Sequence, residues 1–300
     1  MYDIMIIGSG PAGLTAAIYA SRAQLRAVVI EKDYMGSGQI AATEQVDNYP
    51  GLPGIGGYEL GEAFREHAEK MGASFFEGEA IAIQRNEDAF TVHFKDGSSL
   101  EGKSIIYTAG TSYRRLEIPG GELLGVSYCA TCDGAFYQDK TVAVVGGGDT
   151  ALEDALYLSK IAEKVYLIHR RDTFRANQAL QTAVKNTPNI ALVLNAVPVE
   201  ISGEKRAEAL VLLQNGEARK LDVNGIFVAI GSIPNTALLE GICDLDANGY
   251  VSAGENGVTS AAGIFAGGDV RTKTLRQVVT AVSDGANCVQ SVEKYLRETS

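Results

Sequence analysis

Cys129-Ala130-Thr131-Cys132-Asp133-Gly134 places two thiols two residues apart, with a carboxylate beside the second. Such a pair closes and opens a small disulfide ring with little backbone movement. The thiolate is the attacking species, so an adjacent acid/base group bears on reactivity. The same spacing also serves zinc, but a structural zinc site needs a second pair of soft ligands. Cys243 and Cys288 are single and far apart, and His67, His93 and His169 show no H-x-x-x-H spacing. No metal is expected, and redox chemistry is the better reading if the chain also supplies electrons.

That supply has to come from a bound cofactor, and the chain has two places for one. Residues 2–7 form a short apolar run, followed at once by Gly8-Ser9-Gly10-Pro11-Ala12-Gly13 and an apolar-periodic helix at 14–22. A second apolar strand, 27–30, ends on Glu31. Glycines make the turn and let backbone approach a pyrophosphate, and the helix N-terminus offers N–H donors to it. Glu31, about 20 residues on, can accept the ribose hydroxyls.

Adding 138 to these positions finds a second copy. Residues 141–145 are the strand, Gly146-Gly147-Gly148-Asp149-Thr150-Ala151 the turn, 152–160 the helix and 165–168 the next strand. The position of Glu31 is taken by His169, followed by Arg170 and Arg171, with Arg175 one helical turn on. A carboxylate there favours free ribose hydroxyls and repels a 2′-phosphate, whereas guanidinium forks suit a phosphate. The first copy therefore reads as a site for a cofactor without a 2′-phosphate, and the second as a site for NADP(H). A solvated basic patch is the plainer reading of the arginines, and their place at a strand end argues against it.

The repeat continues. Runs 89–94 and 98–101 flank Asp96-Gly97, and runs 210–213 and 219–223 flank Asn215-Gly216, both hairpin signals. Each is followed by a strand, 104–108 ending at Ala109-Gly110 and 225–229 ending at Gly231. A strand at 264–266 then leads into Gly267-Gly268-Asp269, at the edge where ligands sit in parallel sheets. A helix at about 275–296 closes the chain, with Val278, Val282, Val289, Val292 and Leu296 at helical spacing and Cys288 beside that stripe as a core residue. Cys243 is assigned no role. The expected fold class is α/β, with two Rossmann-like three-layer domains, the second inserted in the first. Residues 1–112 and 243–300 form one domain and 113–242 the other.

Composition sets outer bounds. A chain of 300 residues suits two domains, and 46% hydrophobic content is ample for their cores. A net charge of −11 argues against a nucleic-acid or anionic-membrane surface. The uncharged run 223–239 is interrupted by glycine, proline and asparagine and is not a membrane span. With no basic, apolar leader and only four cysteines, the expected compartment is a reducing cytoplasm.

The sequence resembles the low-molecular-weight thioredoxin reductases of the bacterial type over nearly its whole length. The residues that carry the resemblance are Gly8 to Gly13; Gly38-Gln39 with Asn48-Tyr49-Pro50-Gly51; Val126-Ser127-Tyr128-Cys129-Ala130-Thr131-Cys132-Asp133-Gly134; Gly146 to Ala151; His169-Arg170-Arg171 with Phe174-Arg175-Ala176; Gly231-Ser232-Ile233-Pro234-Asn235-Thr236; and Gly263 to Asp269 with Arg276-Gln277. The resemblance implies FAD in the first domain, with Gly8, Gly10, Pro11, Ala12 and Gly13 at its pyrophosphate and Glu31 at its ribose. Gly38, Gln39, Asn48 and Gly110 would lie near the flavin, Gly268 and Asp269 at the ribityl or pyrophosphate region, and Arg276 and Gln277 by the isoalloxazine. It implies NADPH in the second domain, on Gly148, Asp149, Thr150 and Gly231, with His169, Arg170, Arg171 and Arg175 around the 2′-phosphate.

By the same resemblance electrons run from NADPH to FAD, to a Cys129–Cys132 disulfide, and on to thioredoxin. Cys132 would face the flavin, Cys129 would attack thioredoxin, and Asp133 would act as general acid/base. A domain rotation would let the pair meet both, and a homodimer is expected. Three stretches depart from the family pattern: Thr108-Ala109-Gly110, a shorter loop at 119–126, and Gly36-Ser37-Gly38-Gln39. They bear on loop geometry, flavin packing and choice of partner. Alternatives are a reductase of a glutaredoxin-like protein or a peroxiredoxin, and a nucleotide-bound redox sensor without turnover.

Overall fold

The structure, a computed structural model, describes residues 1–32, 37–43 and 46–299. It divides into two compact units, Met1–Ser112 with Ile233–Ser300, and Tyr113–Ser232. Each is built around a five-stranded parallel sheet.

In the first unit the sheet runs Ile264–Ala266, Ile105–Tyr107, Ile4–Ile7, Ala27–Glu31, Ser74–Glu77. The central strand is apolar at every position because both its faces are covered. Side chains alternate across it. Ile4 and Ile6 pack with Leu14, Ala17 and Ile18 of helix Pro11–Arg22 and with Val289 and Val292 of helix Val278–Thr299. Met5 and Ile7 pack on the opposite face with Phe90, Val92 and Phe94. Those three belong to an antiparallel sheet of Ala80–Arg85, Phe90–Phe94 and Ser99–Gly102.

The second unit repeats the plan. Its sheet runs Ile190–Val193, Lys164–Ile168, Thr141–Gly146, Gly225–Ala229, Val126–Ser127. Val142 and Val144 pack with Leu152, Ala155 and Leu158 of helix Asp149–Leu158. Ala143 and Val145 pack with Leu210, Leu212 and Leu221 of the antiparallel sheet Ala196–Ser202, Ala209–Gln214 and Glu217–Asp222. The Asn215-Gly216 turn has φ of +51° and +88°, the pair of positive angles that a two-residue hairpin needs. Each antiparallel sheet carries one strand, Ala80–Arg85 or Ala196–Ser202, beyond the hairpin read from the sequence.

The return to the first unit falls at Ile233, ten residues before residue 243. The physical reason is local packing within that unit. Tyr107 donates from its hydroxyl to the Asn235 carbonyl at 2.7 Å, and Leu239 is fully buried with Val92 and Ile264. Cys243 lies in the same cluster, with its thiol 3.5 Å from the Thr259 hydroxyl. Cys288 is fully buried between the sheet and its own helix, and burial pushes its thiol up to about 12.

Candidate functional site

Edge strand Val126–Ser127 leads straight into the cysteine pair. Cys129 and Cys132 are joined by a disulfide. Among the described residues no cluster of three His, Cys, Asp or Glu is arranged to hold a metal. Residues Ala130–Asp133 form one helical turn, which the Asp133 N–H closes onto the Cys129 carbonyl at 3.1 Å. The carboxylate of Asp133 accepts from the Ser127 hydroxyl at 2.6 Å. The Thr131 hydroxyl lies 3.6 Å from Cys129 Sγ. Gly134 lets this turn sit close on the next helix, since a Cβ there would come within 2.9 Å of the Tyr157 ring.

The same unit carries the second glycine turn. Gly146 is tight against Ala151 and the Ala229 carbonyl, and a Cβ on Gly147 would overlap the His169 ring. A Cβ on Gly148 would meet no described atom within 4 Å, so this is the open position of the turn. Gly148 is also the N-cap of Asp149–Leu158 and offers no side-chain cap. The imidazole of His169 is buried, stacks on Phe174 at 5.4 Å, and has no described hydrogen-bond partner for Nε2. Burial holds it below its ordinary pKa, helped by the charges of Arg175, Arg170 and Arg171. Those three arginines are exposed, and the Arg175 N–H donates to the Gly147 carbonyl at 2.8 Å, which ties the basic loop to the turn.

In the first unit a Cβ on Gly13 would overlap the Gly8 carbonyl, so helix and strand need glycine there. Gly8 has φ of +103°, and a Cβ on Gly10 would meet the facing loop at ordinary contact, 3.8 Å from the Gly38 Cα. Glu31 Oε2 accepts from Ser9 N at 3.0 Å and Ser9 Oγ at 2.9 Å, which fixes the acid beside the turn. Gly38, at φ +73°, brings its loop to 3.1 Å from the Gly10 Cα, measured from the Cβ it lacks.

The sequence profile of the family described as pyridine nucleotide-disulphide oxidoreductase matches residues 2–285. The chain belongs to this family. It is 40% identical over 305 residues to the thioredoxin reductase of Bacillus subtilis, covering 99% of this chain and 96% of that one. It is 39% identical over 305 residues to the thioredoxin reductase of Streptomyces coelicolor, covering 99% and 95%. The crystal structure of thioredoxin reductase from Streptococcus pyogenes superposes with a TM-score of 0.93 at 39% identity, covering 99% of each chain.

The residues at the first glycine turn fit the flavin nucleotide that family membership implies. Asp269 follows strand Ile264–Ala266, and its Oδ1 is buried with no hydrogen-bond partner among the described residues. Burial raises its pKa, against the pull of Lys273 and Arg276. Arg276 donates to the Asp269 and Arg271 carbonyls, both at 3.3 Å, and lies over the Tyr250 ring. Asn48 donates to the Gln277 side chain at 2.8 Å, which joins two residues read separately from the sequence. Gln39 donates to the carbonyl of Thr111 and to its hydroxyl, the latter at 2.9 Å. Gly110 has φ of +64° and Gly268 +77°. Gly36 lies outside the described residues. The residues at the second turn fit a nucleotide phosphate on the same ground: an open turn with a buried imidazole beside it whose Nε2 has no hydrogen-bond partner among the described residues.

Two positions do structural work within the basic loop and its neighbourhood. Asp149 Oδ1 accepts from Asn177 N at 2.8 Å and Nδ2 at 3.1 Å, and so holds the loop against the turn. The Arg114 N–H donates to the Gly231 carbonyl at 3.0 Å. Ser9 and Ser127 were not singled out by composition or spacing, because their roles come from contacts across 22 and 6 residues. A buried triad was missed for the same reason. Asp284 accepts from Arg271 at 2.6 and 2.8 Å, from Lys273 at 2.8 Å, and from the Gly268 N–H at 2.9 Å. It therefore holds the Gly267-Gly268-Asp269 turn from behind.

Proposed function

We propose that this chain is an NADPH-dependent flavoenzyme that reduces the disulfide of thioredoxin through Cys129 and Cys132. The observation that carries the reading is the Cys129–Cys132 disulfide, with Asp133 beside it, on the same unit as an open glycine turn ringed by Arg170, Arg171 and Arg175. Full-length similarity to thioredoxin reductases supports it. Glu31 in the first copy suits a cofactor without a 2′-phosphate and the arginines in the second suit NADPH, which supports FAD in the first unit and NADPH in the second.

FAD, when bound, would supply two-electron redox chemistry between NADPH and the disulfide. The chain's own residues do the rest. Gly8, Gly10 and Gly13 would bring backbone to the FAD pyrophosphate, Glu31 would bind its ribose, and Asp269 would bind the ribityl or pyrophosphate region. Gly38, Gln39, Asn48, Arg276 and Gln277 shape the flavin surroundings. Gly148 and Thr150 meet the NADPH phosphates, and Arg170 and Arg175 hold the 2′-phosphate with Arg171 and His169 beside them.

In the reduced enzyme Cys129 gives its proton to Asp133, and its thiolate attacks one sulfur of the thioredoxin disulfide. That S–S bond breaks, a mixed disulfide forms, and the leaving sulfur takes the proton from Asp133. Cys132 then loses its proton to Asp133 and attacks Cys129 Sγ. The Cys129–Cys132 bond closes, and the second thioredoxin sulfur leaves with that proton. Two electrons and two protons pass from the enzyme dithiol to thioredoxin. A homodimer working in the cytoplasm completes the reading. No helix among the described residues is long and apolar enough to cross a membrane.

The test is NADPH oxidation by purified protein with a panel of thioredoxins as acceptors, run beside NADH and beside Cys132→Ser. Flavin absorbance with fast NADPH turnover on at least one thioredoxin, lost in Cys132→Ser, is the expected result. Full activity in Cys132→Ser would sink the proposal.

A further inference from the structure

Ser127 is a buried hydroxyl with three polar neighbours, all belonging to the redox turn. Its Oγ lies 2.6 Å from Asp133 Oδ2, 3.3 Å from the Cys129 carbonyl oxygen and 3.1 Å from the Cys129 N–H. A serine has one hydrogen to give and two lone pairs to receive with. The Cys129 N–H takes one lone pair. The hydrogen then has a choice between a carboxylate at 2.6 Å and a neutral carbonyl at 3.3 Å. Short bonds to a charged acceptor are the strong ones, so the carboxylate wins while Asp133 is ionised. Once Asp133 carries a proton on Oδ2, the charge is gone: the hydroxyl turns its hydrogen to the Cys129 carbonyl, and its second lone pair accepts the weaker, neutral bond from the Asp133 O–H. Ser127 is only 6% exposed, so little water competes for either bond.

From this arrangement we infer that Ser127 is a positioning residue that sets the acidity of Asp133. The inference rests on the reading of Asp133 as the general acid/base. A hydrogen bond that is stronger to the ionised form than to the protonated one favours the ionised form and lowers the pKa of the acid. Ser127 is held in place independently of the redox turn. It ends strand Val126–Ser127, and its backbone is in register with Phe227 of the neighbouring strand. The hydroxyl therefore couples the sheet to the proton-carrying carboxylate, and through the Cys129 backbone to the attacking thiol.

The test is the pH profile, from about 5 to 9, of NADPH-dependent reduction of an oxidised bacterial thioredoxin by the flavin-loaded enzyme. Asp133→Asn identifies which limb belongs to the acid, because that limb disappears. In Ser127→Ala the same limb should move to higher pH by about one unit, the scale of one charge-assisted hydrogen bond. Ser127→Thr keeps the hydroxyl and should keep the limb within about 0.3 unit of the wild-type position. A limb that stays in place in Ser127→Ala, while Asp133→Asn abolishes it, overturns the role of Ser127 and leaves that of Asp133 standing. A profile unchanged in Asp133→Asn overturns the acid/base reading itself. Ser127→Gly removes the same hydroxyl with a different backbone cost. If neither Ser127→Ala nor Ser127→Gly folds and retains flavin, the residue is structural and the inference fails.

Discussion

A carboxylate and a group of arginines stand at equivalent strand ends, and on the proposed reading that difference separates the two nucleotide sites. Glu31 is immobilised by Ser9, whereas Arg170, Arg171 and Arg175 stand exposed around a buried His169. Replacing Arg170 or Arg175 by alanine should raise KM for NADPH about tenfold, near the 1.4 kcal/mol of one phosphate contact, and leave KM for NADH within about twofold. Steady-state kinetics with both nucleotides checks this, and equal effects would remove the 2′-phosphate assignment. Asp284 is the other decisive residue. Burial alone would raise its pKa, but Arg271 and Lys273 more than offset that and hold its carboxyl below the ordinary carboxylate value. The stabilisation is therefore present above the unfolded value of about 3.9 and fades as pH falls through the lower folded value. Asp284→Asn leaves two buried cations uncompensated and should cost about 3–5 kcal/mol at pH 7, with FAD released on mild heating. Its acid-side loss of stability should also flatten, as read by thermal melts between about pH 3 and 7.

Glycine placement controls how closely elements approach. Helix Val278–Thr299 crosses helix Pro11–Arg22 at Gly285, where a Cβ would overlap the Ala12 carbonyl. Backbone cannot yield as a side-chain tip can, so Gly285→Ala should destabilise the first unit by about 1–3 kcal/mol and loosen flavin, as measured by FAD fluorescence on warming. The two copies also match in a way that sequence periodicity alone does not express. Strand Ile264–Ala266 lies beside Ile105–Tyr107 and delivers Asp269, while Val126–Ser127 lies beside Gly225–Ala229 and delivers Asp133. The equivalent edge position is filled in one unit by a strand late in the chain and in the other by the strand that opens it. Each carries an acid just beyond its C-terminal end, where ligands meet parallel sheets.

Each unit encloses its own core, and the chain leaves and re-enters the first unit at neighbouring points. Ser112 Oγ donates to Asn235 Oδ1 at 2.9 Å, and Asn235 N donates to the Gly110 carbonyl at 3.0 Å. The ends left by removing residues 113–232 are thus already held together, and a short glycine-serine linker can join them. Such a protein should keep bound FAD and its visible absorbance while losing NADPH oxidation entirely. Failure to retain flavin would mean that the first unit depends on the second for its fold.

The two nucleotide turns, the 138-residue repeat, the hairpins and the cysteine pair were legible because each is a local pattern. A glycine turn needs its glycines within six residues, a buried parallel strand is apolar throughout, and Asn-Gly favours one kind of hairpin. Those patterns determined the fold class and marked the cysteine pair and the two glycine turns as the candidate sites. The tertiary structure decided what no local pattern encodes. It brought Ser9 to Glu31, Asn48 to Gln277, Ser127 to Asp133, and Arg271 and Lys273 to Asp284. It also moved the domain return to Ile233, since the segment after it packs on Tyr107 and into the first core. Hydrogen bonds and ion pairs between distant residues depend on where the strands and helices end up. Only the assembled sheets fix those positions.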